Sequence, residues 1–284
     1  MRYFVSGGTG FCGSHLTRKL LDLGHEVLIT GREGEQPSNA ICIGYDFHRL
    51  DWNAIGEVDA VFHQAAITNT LFDDSESVLR VNYLQSKRLF EEARTKRIIY
   101  ASSCAVYGRA PIPFKEDGPK VPLNPYGYSK LYLDEYTVDF KRCPIVGLRY
   151  TNVYGHGENH KGKSACMISQ IAEAVKEGRK PKLFKWGEQS RDFVFVDDVV
   201  QANLLALEAP SGVYNVGSGK PTTFNGVLKT INEVMGTNIE AEYIDNPIAS
   251  VYQDFTQCDM AFSKERLKYE PSVSLLEGCK KLYG

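Results

Sequence analysis

The residue pair that most directly suggests chemistry is Tyr126 and Lys130, which stand four residues apart in Asn-Pro-Tyr-Gly-Tyr-Ser-Lys. Residues at this spacing share one face of a helix. A phenol whose pKa is drawn from about 10 toward neutrality can accept and return the proton of a hydroxyl group. A neighbouring ammonium favours the phenolate. The spacing therefore predicts an acid–base pair for oxidation or reduction at a carbinol carbon.

A second pair with the same spacing, Tyr83 and Lys87, shows that spacing alone is weak support. With 16 tyrosines in the chain, roughly one such pair is expected by chance. Context separates the two pairs, because Tyr126 follows a predicted strand that ends at Ser103, whose hydroxyl could hold a substrate oxygen. We predict Ser103, Tyr126 and Lys130 as the catalytic group and interpret Tyr83 and Lys87 as surface or packing residues.

A glycine-rich loop near the N-terminus predicts a dinucleotide site. Gly7, Gly10 and Gly13 lie between the first predicted strand and the first predicted helix. Glycine allows the backbone to approach a pyrophosphate closely, and a helix N-terminus offers free N–H groups and a positive dipole end. A second strand ends about twenty residues later, as such a unit requires. The predicted cofactor contacts in this loop are Gly7, Gly10, Phe11, Cys12 and Gly13.

The end of the second predicted strand bears on which dinucleotide is bound. An NAD site usually has Asp or Glu there, bonding the ribose 2′-hydroxyl. This chain has Gly31 and Arg32, and a guanidinium suits a 2′-phosphate. The pattern favours NADP; the alternative is a solvated Arg32 near Glu33, with NAD held by other contacts. Asp46 and Phe47, which follow a third predicted strand, are predicted to flank the adenine.

These sites must be positioned by alternating strands and helices. Such alternation indicates βαβ units and a parallel sheet, which binds ligands at the carboxyl ends of its strands. We predict an α/β, doubly wound parallel sheet of the Rossmann type. The predicted strands are Tyr3–Ser6, Glu26–Thr30, Asp59–Phe62, Arg97–Ser102 and Ile145–Tyr150, and the predicted helices between them include Gly13–Leu23, Ser75–Thr95 and Tyr126–Phe140.

The pattern loosens after residue 150. A helix is predicted at Met167–Glu177, a strand at Asp192–Val196 that would return to the sheet, a helix at Asp197–Leu207 and a strand at Glu240–Tyr243. We predict that residues 1–163 with 191–217 form the dinucleotide-binding domain. Residues 164–190 with 218–284 are predicted to form a smaller, discontinuous α/β substrate-binding lobe.

Composition excludes several classes of function. The net charge is −2, with no clustered basic surface in the sequence, so neither a nucleic-acid nor a membrane partner is indicated. No apolar run is long enough to span a bilayer, and the first strand begins at once, so we expect no signal peptide. Seven scattered cysteines without a Cys-x-x-Cys pair indicate reduced thiols and no metal site. We expect a cytoplasmic homo-oligomer.

Taken together, the motifs resemble the extended short-chain dehydrogenase/reductases. The glycine loop, Ser103 and the Tyr126-x-x-x-Lys130 pair match the signature of that superfamily in order and spacing, and the resemblance covers nearly the whole chain. Most members act on nucleotide-activated sugars as epimerases, dehydratases or reductases. The resemblance implies a nucleotide-sugar substrate.

One subgroup, the ADP-L-glycero-D-manno-heptose 6-epimerases, is the most similar. The matching segments are Val61–Ala66, Leu123–Lys130, Arg149–Gly155, Asn159–Gly162, Pro181–Phe184, Arg191–Val194 and Tyr252–Gln257. In that family a lysine on the His-Lys-Gly loop acts as a second acid/base opposite the tyrosine, which by this match is Lys161. Epimerisation through a ketone returns hydride to the opposite face, so two acid/base groups could each serve one orientation. The alternative for Lys161 is a mobile surface lysine.

The same resemblance implies further contacts. Arg191 and Tyr252 would grip the substrate diphosphate, with Phe184 beside the nucleotide base. Arg191 could instead form an ion pair with Asp192 or Asp197. The remaining implied substrate contacts are Ser103, Asn152 and Lys161, and the remaining implied cofactor contacts are Gln64, Ala65, Ala66, Asn82 and Val153, with Tyr126 and Lys130. His63 and His160 are interpreted as structural.

Departures from the family pattern keep other functions open. Gly31-Arg32 stands where acidic or amide side chains are more usual, and the C-terminal part is compact. A sugar 4-epimerase or a keto-sugar reductase/epimerase is the nearest alternative, and a non-catalytic dinucleotide-sensing protein is an alternative of another class. A sugar 4,6-dehydratase is not expected, because Cys104-Ala105 stand where that chemistry needs an Asp-Glu pair.

Overall fold

A seven-stranded parallel sheet forms the centre of the molecule. The computed structural model describes residues 1–31, 37–68, 74–158, 165–247 and 252–284. Numbered along the chain, the strands of this sheet are β1 Arg2–Ser6, β2 Glu26–Thr30, β3 Ile41–Gly44, β4 Ala60–His63, β5 Ile98–Ser103, β6 Ile145–Tyr150 and β10 Gly212–Val216. They lie in the order β3-β2-β1-β4-β5-β6-β10, and every pairing is parallel.

Helices cover both faces of this sheet, which confirms the predicted fold class. The central strands are nearly continuous apolar runs, as expected of strands buried on both faces. The helices are α1 Phe11–Asp22, α2 Trp52–Ile55, α3 Ser75–Leu79, α4 Ser86–Glu92, α5 Pro125–Val138 and α7 Val196–Leu205. On one face, α1 and α7 form the first buried cluster with the sheet, and on the other face α2, α4 and α5 pack against it.

The predicted single helix at 75–95 consists of three segments. A π-helical segment, Arg80–Gln85, joins α3 to α4. Such bulges commonly occur at functional sites. This one contains Asn82, whose side chain is fully buried. The segment therefore brings a polar side chain into the interior, beside the loop that follows β4.

A second buried cluster is built from the later part of the chain. It comprises side chains of α6 Met167–Lys176, β8 Lys182–Phe184, β9 Ser190–Phe195, α8 Phe224–Met235 and α9 Leu275–Tyr283, with Phe11 and Tyr154. Strand β9 lies between β7 Asn152–Tyr154 and β11 Pro221–Thr223, and β8 pairs with β12 Glu242–Ile244. The boundaries of the two expected domains stay a prediction.

The predicted return of residues 192–196 to the main sheet is wrong. Strand β9 belongs to the three-stranded sheet, and the strand that joins β6 at the edge of the main sheet is β10. The physical reason is visible in β9 itself, because Phe193 and Phe195 pack in the second cluster while Val194 packs in the first. An apolar run of this length indicates burial but not which sheet it joins.

Two further expectations concern a membrane-spanning helix and a metal site. Among the residues that the structure describes, no helix is long and apolar enough to cross a membrane. Over the same residues, no group of three His, Cys, Asp or Glu side chains could hold a metal ion.

Candidate functional site

The glycine loop forms a tight cradle between β1 and α1. Gly7 has φ of +69°, and a Cβ on it would lie 2.9 Å from the backbone of Ala65. A Cβ on Gly13 would lie 2.1 Å from the carbonyl oxygen of Gly7. Helix α1 begins after Gly10, and no described side chain caps it and no acidic residue stands in its first turn. The positive end of the helix dipole and the close approach that the glycines allow suit phosphate, and the cradle fits a dinucleotide pyrophosphate.

The end of β2 packs directly against this loop. A Cβ on Gly31 would lie 2.1 Å from Thr9 Oγ1 and 2.7 Å from Thr9 Cγ2. A carboxylate side chain at position 31 would therefore displace Thr9. Arg32, which the sequence predicts as a 2′-phosphate contact, lies outside the described residues.

The loop after β4 forms the other wall of the cradle. The Gln64 amide donates to Asn203 Oδ1 at 3.0 Å and accepts from the Tyr150 hydroxyl at 3.1 Å. The Ala65 N–H donates to Ser6 Oγ at 3.3 Å. These bonds fix the loop, and Ala65 meets Gly7 at the base of the cradle.

The Asn82 side chain fastens this loop to the helix that carries Tyr126. Its oxygen accepts from the Ile67 N–H at 2.8 Å, and its nitrogen donates to the Ile67 carbonyl at 2.9 Å and to Ser129 Oγ at 3.2 Å. Ser129 in turn donates to the Tyr126 carbonyl at 2.7 Å. With these partners inside the protein, Asn82 acts as a support for the wall.

His63 stands behind the same wall and is buried. Its ring nitrogens lie 2.6 Å from Ser6 Oγ and 2.7 Å from Ser86 Oγ. Burial, and secondarily the charge of Lys130, lowers the pKa of His63 to about 3. The ring is therefore neutral and connects β1, β4 and α4, as its structural interpretation requires.

The predicted adenine contacts differ in exposure. The Phe47 ring is buried and packs 4.9 Å from the His63 ring, while Asp46 is exposed. Most of the Phe47 surface is therefore used in the core. Asp46 is the one of the two that faces solvent.

Ser103, Tyr126 and Lys130 come together at the carboxyl end of β5. Ser103 is the last residue of β5, and Tyr126 and Lys130 share a face of α5, which begins after Asn124 caps its N-terminus. Lys130 Nζ donates to the Ala101 carbonyl at 2.7 Å and lies 6.0 Å from the centre of the Tyr126 ring. The sequence-predicted group is therefore assembled at the sheet edge that also carries the glycine loop.

Protonation at this group depends on burial. Burial raises the pKa of Tyr126, and a hydrogen bond with the Ser103 side chain opposes that effect. Burial sets this direction because exclusion of water makes the charged phenolate costly, and the expected effect of Lys130 on Tyr126 stays a prediction. Burial also lowers the pKa of Lys130 to about 8, and the charge of Asp134 opposes that shift.

A buried ion pair stands one helical turn beyond Lys130. The Asp134 carboxylate accepts from Arg149 Nε at 2.8 Å and from the Tyr100 hydroxyl at 2.9 Å. The Arg149 guanidinium also donates to the Tyr107 hydroxyl at 2.8 Å. Sequence reasoning missed this network, because Asp134 and Arg149 lie 15 residues apart on different elements and no local spacing connects them.

Residue 104 confirms that no carboxyl group follows Ser103. The Cys104 thiol is buried, lies 3.1 Å from Cys258 Sγ and is 3.3 Å from the Arg149 carbonyl oxygen. Both thiols point into the core. This part of the site offers nothing that could protonate a leaving hydroxyl.

Elsewhere in the structure, three predicted substrate residues that are distant in sequence contact one another; this group is called the Arg191 and Tyr252 cluster. The Arg191 guanidinium lies 4.8 Å from the centre of the Tyr252 ring and 5.4 Å from that of Phe224. The Phe184 and Tyr252 rings meet edge to face at 5.3 Å. Burial lowers the pKa of Arg191, and the Tyr252 side chain opposes that shift. A cation held among aromatic rings suits a ligand with phosphate and ring groups.

The alternative ion pair for Arg191 is not present. Asp192 instead accepts hydrogen bonds from Ser218, Gly219 and Cys258. Asp197 pairs with Lys281 at 3.4 Å. Arg191 itself donates to the backbone oxygens of Ser190 and Asp254, each at 2.9 Å.

The other candidates take the following places. Asn152 and Val153 lie on β7, paired with β9, and both are half-buried. Lys161 lies outside the described residues.

The second pair with tyrosine-lysine spacing contacts residues outside the site. Lys87 pairs with Glu91 and lies over the Tyr136 ring, and Tyr83 packs on Tyr132, which agrees with their interpretation as surface and packing residues.

Comparison with known proteins agrees with this geometry. The chain is 37% identical to the ADP-L-glycero-D-manno-heptose-6-epimerase of Alkalilimnicola ehrlichii, with 90% of this chain and 88% of the relative covered. Among solved structures it is similar to the Helicobacter pylori ADP-L-glycero-D-manno-heptose-6-epimerase, with a TM-score of 0.89, 33% identity and coverage of 99% and 94%. It is also similar to Thermotoga maritima UDP-glucose 4-epimerase with UDP-glucose, with a TM-score of 0.88, 30% identity and coverage of 99% and 96%.

The sequence profile of one family spans the glycine loop, the Ser103 strand, the Tyr126 helix and β9. It is described as the NAD dependent epimerase/dehydratase family and matches residues 3–217. With that match over most of the chain, and with a relative 37% identical over 90% of it, the chain belongs to the NAD dependent epimerase/dehydratase family.

Proposed function

We propose that this protein is an NADP-dependent epimerase of a nucleotide-activated sugar, with ADP-glycero-manno-heptose as the substrate and C6 as the inverted centre. The observation that carries the proposal is that the structure brings Ser103, Tyr126 and Lys130 together and also places the Arg191 guanidinium on the Tyr252 ring. The names of the curated relative and of the Helicobacter pylori structure support the choice of sugar.

Tyr126 serves as one acid/base group. As the phenolate, its oxygen takes the proton of the substrate hydroxyl during oxidation, and the phenol so formed gives that proton back to the sugar oxygen during reduction. The Ser103 hydroxyl donates to the phenol oxygen and holds the substrate oxygen beside it. Lys130, held by the Ala101 carbonyl, places a titratable amine 6.0 Å from the centre of the Tyr126 ring and binds the cofactor together with Tyr126. The nicotinamide, when bound, supplies reversible hydride transfer.

Lys161 serves as the second acid/base group, for the orientation in which the opposite face of the ketone is reduced. The support is its position in the Asn-His-Lys-Gly motif. Replacing Lys161 by Met should stop epimerisation without releasing the dinucleotide. Near-normal turnover would leave it a surface lysine.

The cofactor is NADP. The packing of Gly31 on Thr9 excludes the carboxylate that an NAD site usually offers there, and Arg32 follows. The remaining cofactor contacts that we assign are those of the glycine loop with Asp46, Gln64, Ala65, Ala66 and Val153, while the buried Asn82 and Phe47 support the walls of the site. Denaturing the purified protein and identifying the released dinucleotide tests this assignment, and recovery of NAD alone would overturn it.

The substrate diphosphate is bound by Arg191 and Tyr252, with Phe184 beside the base and Asn152 near the sugar. The 4-epimerase alternative is favoured by the similarity to the Thermotoga maritima structure, which contains UDP-glucose. Incubation with ADP-glycero-manno-heptose and detection of C6 inversion by NMR separates the two. Turnover of UDP-glucose without inversion of the heptose would establish the alternative.

We also propose that the protein forms a homo-oligomer through helix α5 and the π-helical segment beside it. Leu84, Tyr128 and Tyr132 are 57%, 43% and 41% exposed, and Tyr83 packs against Tyr132 to join the two helices. A second copy of the same helices would bury these side chains by symmetry. Sedimentation of wild type and of Leu84→Asp tests this, because a monomeric wild type would contradict it.

A further inference from the structure

We propose that Trp186 binds the nucleobase of the substrate by stacking on it. This inference rests on the proposed function, because it concerns the nucleotide half of the same substrate. Trp186 lies in the turn between β8 and β9, two residues after Phe184, and has no role in the site described so far.

The backbone of this turn is fixed from several directions. The Gly187 N–H donates to the Phe184 carbonyl at 2.7 Å, and Asn225 Nδ2 donates to the Trp186 carbonyl at 2.9 Å. A Cβ on Gly187 would lie 2.1 Å from Asn225 Oδ1. The Lys185 N–H donates to the Ile244 carbonyl at 2.9 Å, which anchors the turn to β12.

The indole is nevertheless 66% exposed, more than any other described aromatic side chain. Its ring contacts are the Tyr243 ring at 5.8 Å and the Lys185 ammonium at 5.8 Å. Tyr243 is itself held by a hydrogen bond of 2.9 Å to Asn225 Oδ1. A large apolar ring on a rigid backbone and an exposed surface is a typical ligand contact, since little order is lost on binding.

The turn adjoins the Arg191 and Tyr252 cluster on two sides. Its first residue is Phe184, whose ring contacts Tyr252. Asn225, which holds the Trp186 carbonyl, follows Phe224, whose ring contacts the Arg191 guanidinium. Trp186 is therefore two residues along the chain from Phe184, and its carbonyl is hydrogen-bonded to Asn225, the chain neighbour of Phe224.

The chemistry of the ligand follows from this position. If Arg191 binds the diphosphate, the group attached through one ribose is a nucleobase, whose flat face stacks on an aromatic ring. Lys185 is paired with Asp245 at 2.8 Å, so it adds little charge for a second anion. An uncharged aromatic ring is thus the ligand that this turn fits.

The two tryptophans of the chain allow a direct test. Trp52 is 7% exposed and packs on Phe4 in the core, so a change in the emission of exposed tryptophan reports on Trp186. The protein with its bound dinucleotide is titrated with ADP, UDP, GDP and, as a probe without a base, inorganic pyrophosphate. Fluorescence and calorimetry are recorded together for wild type, Trp186→Ala and Trp186→Phe.

The nucleotide that binds should quench the exposed emission with saturation. Trp186→Ala should weaken its Kd roughly tenfold or more and leave the Kd of pyrophosphate unchanged, with Trp186→Phe between the two. Phe262→Ala, which removes a 43% exposed ring that stacks on Tyr214, is the matched control and should bind like wild type.

The outcomes separate this inference from the proposed function. Tight ADP binding that Trp186→Ala leaves unchanged would overturn the role of Trp186 and keep the ADP-sugar assignment. Binding of UDP or GDP in place of ADP, weakened by Trp186→Ala, would support Trp186 and overturn ADP as the nucleotide. Failure of all three nucleotides to bind would overturn both.

Discussion

Lys130 Nζ donates a hydrogen bond of 2.7 Å to the backbone carbonyl oxygen of Ala101, two residues before Ser103 on β5. The lysine is 2% exposed, and the nearest carboxylate along its helix, Asp134, is paired with Arg149. Burial therefore lowers the pKa of Lys130 to about 8, so its protonation changes close to neutral pH. A buried amine with this pKa is costly for stability and suited to proton chemistry.

Replacing Lys130 by Met should stabilise the protein without dinucleotide while abolishing turnover. Below pH 8 the folded protein buries a charged amine, whose lowered pKa of about 8 corresponds to a cost of roughly 3 kcal/mol. This gain in the free energy of unfolding should shrink as pH rises from 8 to above 10, because the Lys130 amine is then neutral in the folded protein and finally also in the unfolded chain. Urea unfolding at several pH values measures it, with exposed Lys87→Met as the control. A less stable Lys130→Met variant at pH 7 would contradict the prediction.

Removing the Asp134 charge should lower the free energy of unfolding more than removing the hydroxyl of its neutral partner Tyr100. Asp134→Asn leaves the Arg149 guanidinium buried without a counter-charge, which costs about 3–5 kcal/mol. Tyr100→Phe removes one hydrogen bond to the same carboxylate, worth about 1.5–3 kcal/mol because the acceptor is charged, and one shared with Thr137, but it leaves the ion pair in place. Comparing the two free energies of unfolding checks the prediction, and equal losses would argue against it.

Acid should destabilise the protein through His63. Its pKa is about 3 in the fold, so the unfolded chain takes up a proton below about pH 6.5 while the native protein does not. Stability should therefore fall by about 1.4 kcal/mol for each pH unit across this window. His63→Gln should remove this contribution and His25→Gln should not, as urea midpoints between pH 6.5 and 4 would show. An unchanged slope in His63→Gln would refute the assignment.

Tyr126→Phe should lower kcat by at least about 100-fold, because the acid/base oxygen is lost while the ring remains. The dinucleotide should still co-purify, since the glycine loop is untouched. Tyr128→Phe, at an exposed position two residues later, should turn over normally. Rates and released cofactor measured side by side check both statements, and an active Tyr126→Phe variant would remove Tyr126 from the mechanism.

Arg191 and Tyr252 should act together on substrate binding. Arg191→Lys keeps the charge but loses the planar group that lies 4.8 Å from the Tyr252 ring, so KM should rise about tenfold or more. Tyr252→Phe keeps the ring and should have a smaller effect than Tyr252→Ala. Steady-state kinetics of the three variants test this. A change in kcat alone would place these residues in the chemical step instead of binding.

Much of the fold and part of the site followed from local patterns. Glycine spacing between a strand and a helix, and Tyr126 four residues before Lys130, describe single elements whose geometry the chain sets locally. The main-sheet strands were recognisable for the same reason, apart from β10 at the edge. Strand β9 was misplaced because an apolar run carries no information about its neighbours.

The sequence by itself determined the cradle and the acid–base helix, because backbone freedom at glycine and helical periodicity are local properties. Only the tertiary structure decided which residues support them. Asp134 meets Arg149 across 15 residues, and Arg191 meets Tyr252 across about 60, because packing brings distant segments together. Burial also decided the direction of the Tyr126 and Lys130 pKa shifts, since exclusion of water depends on the whole fold and not on spacing.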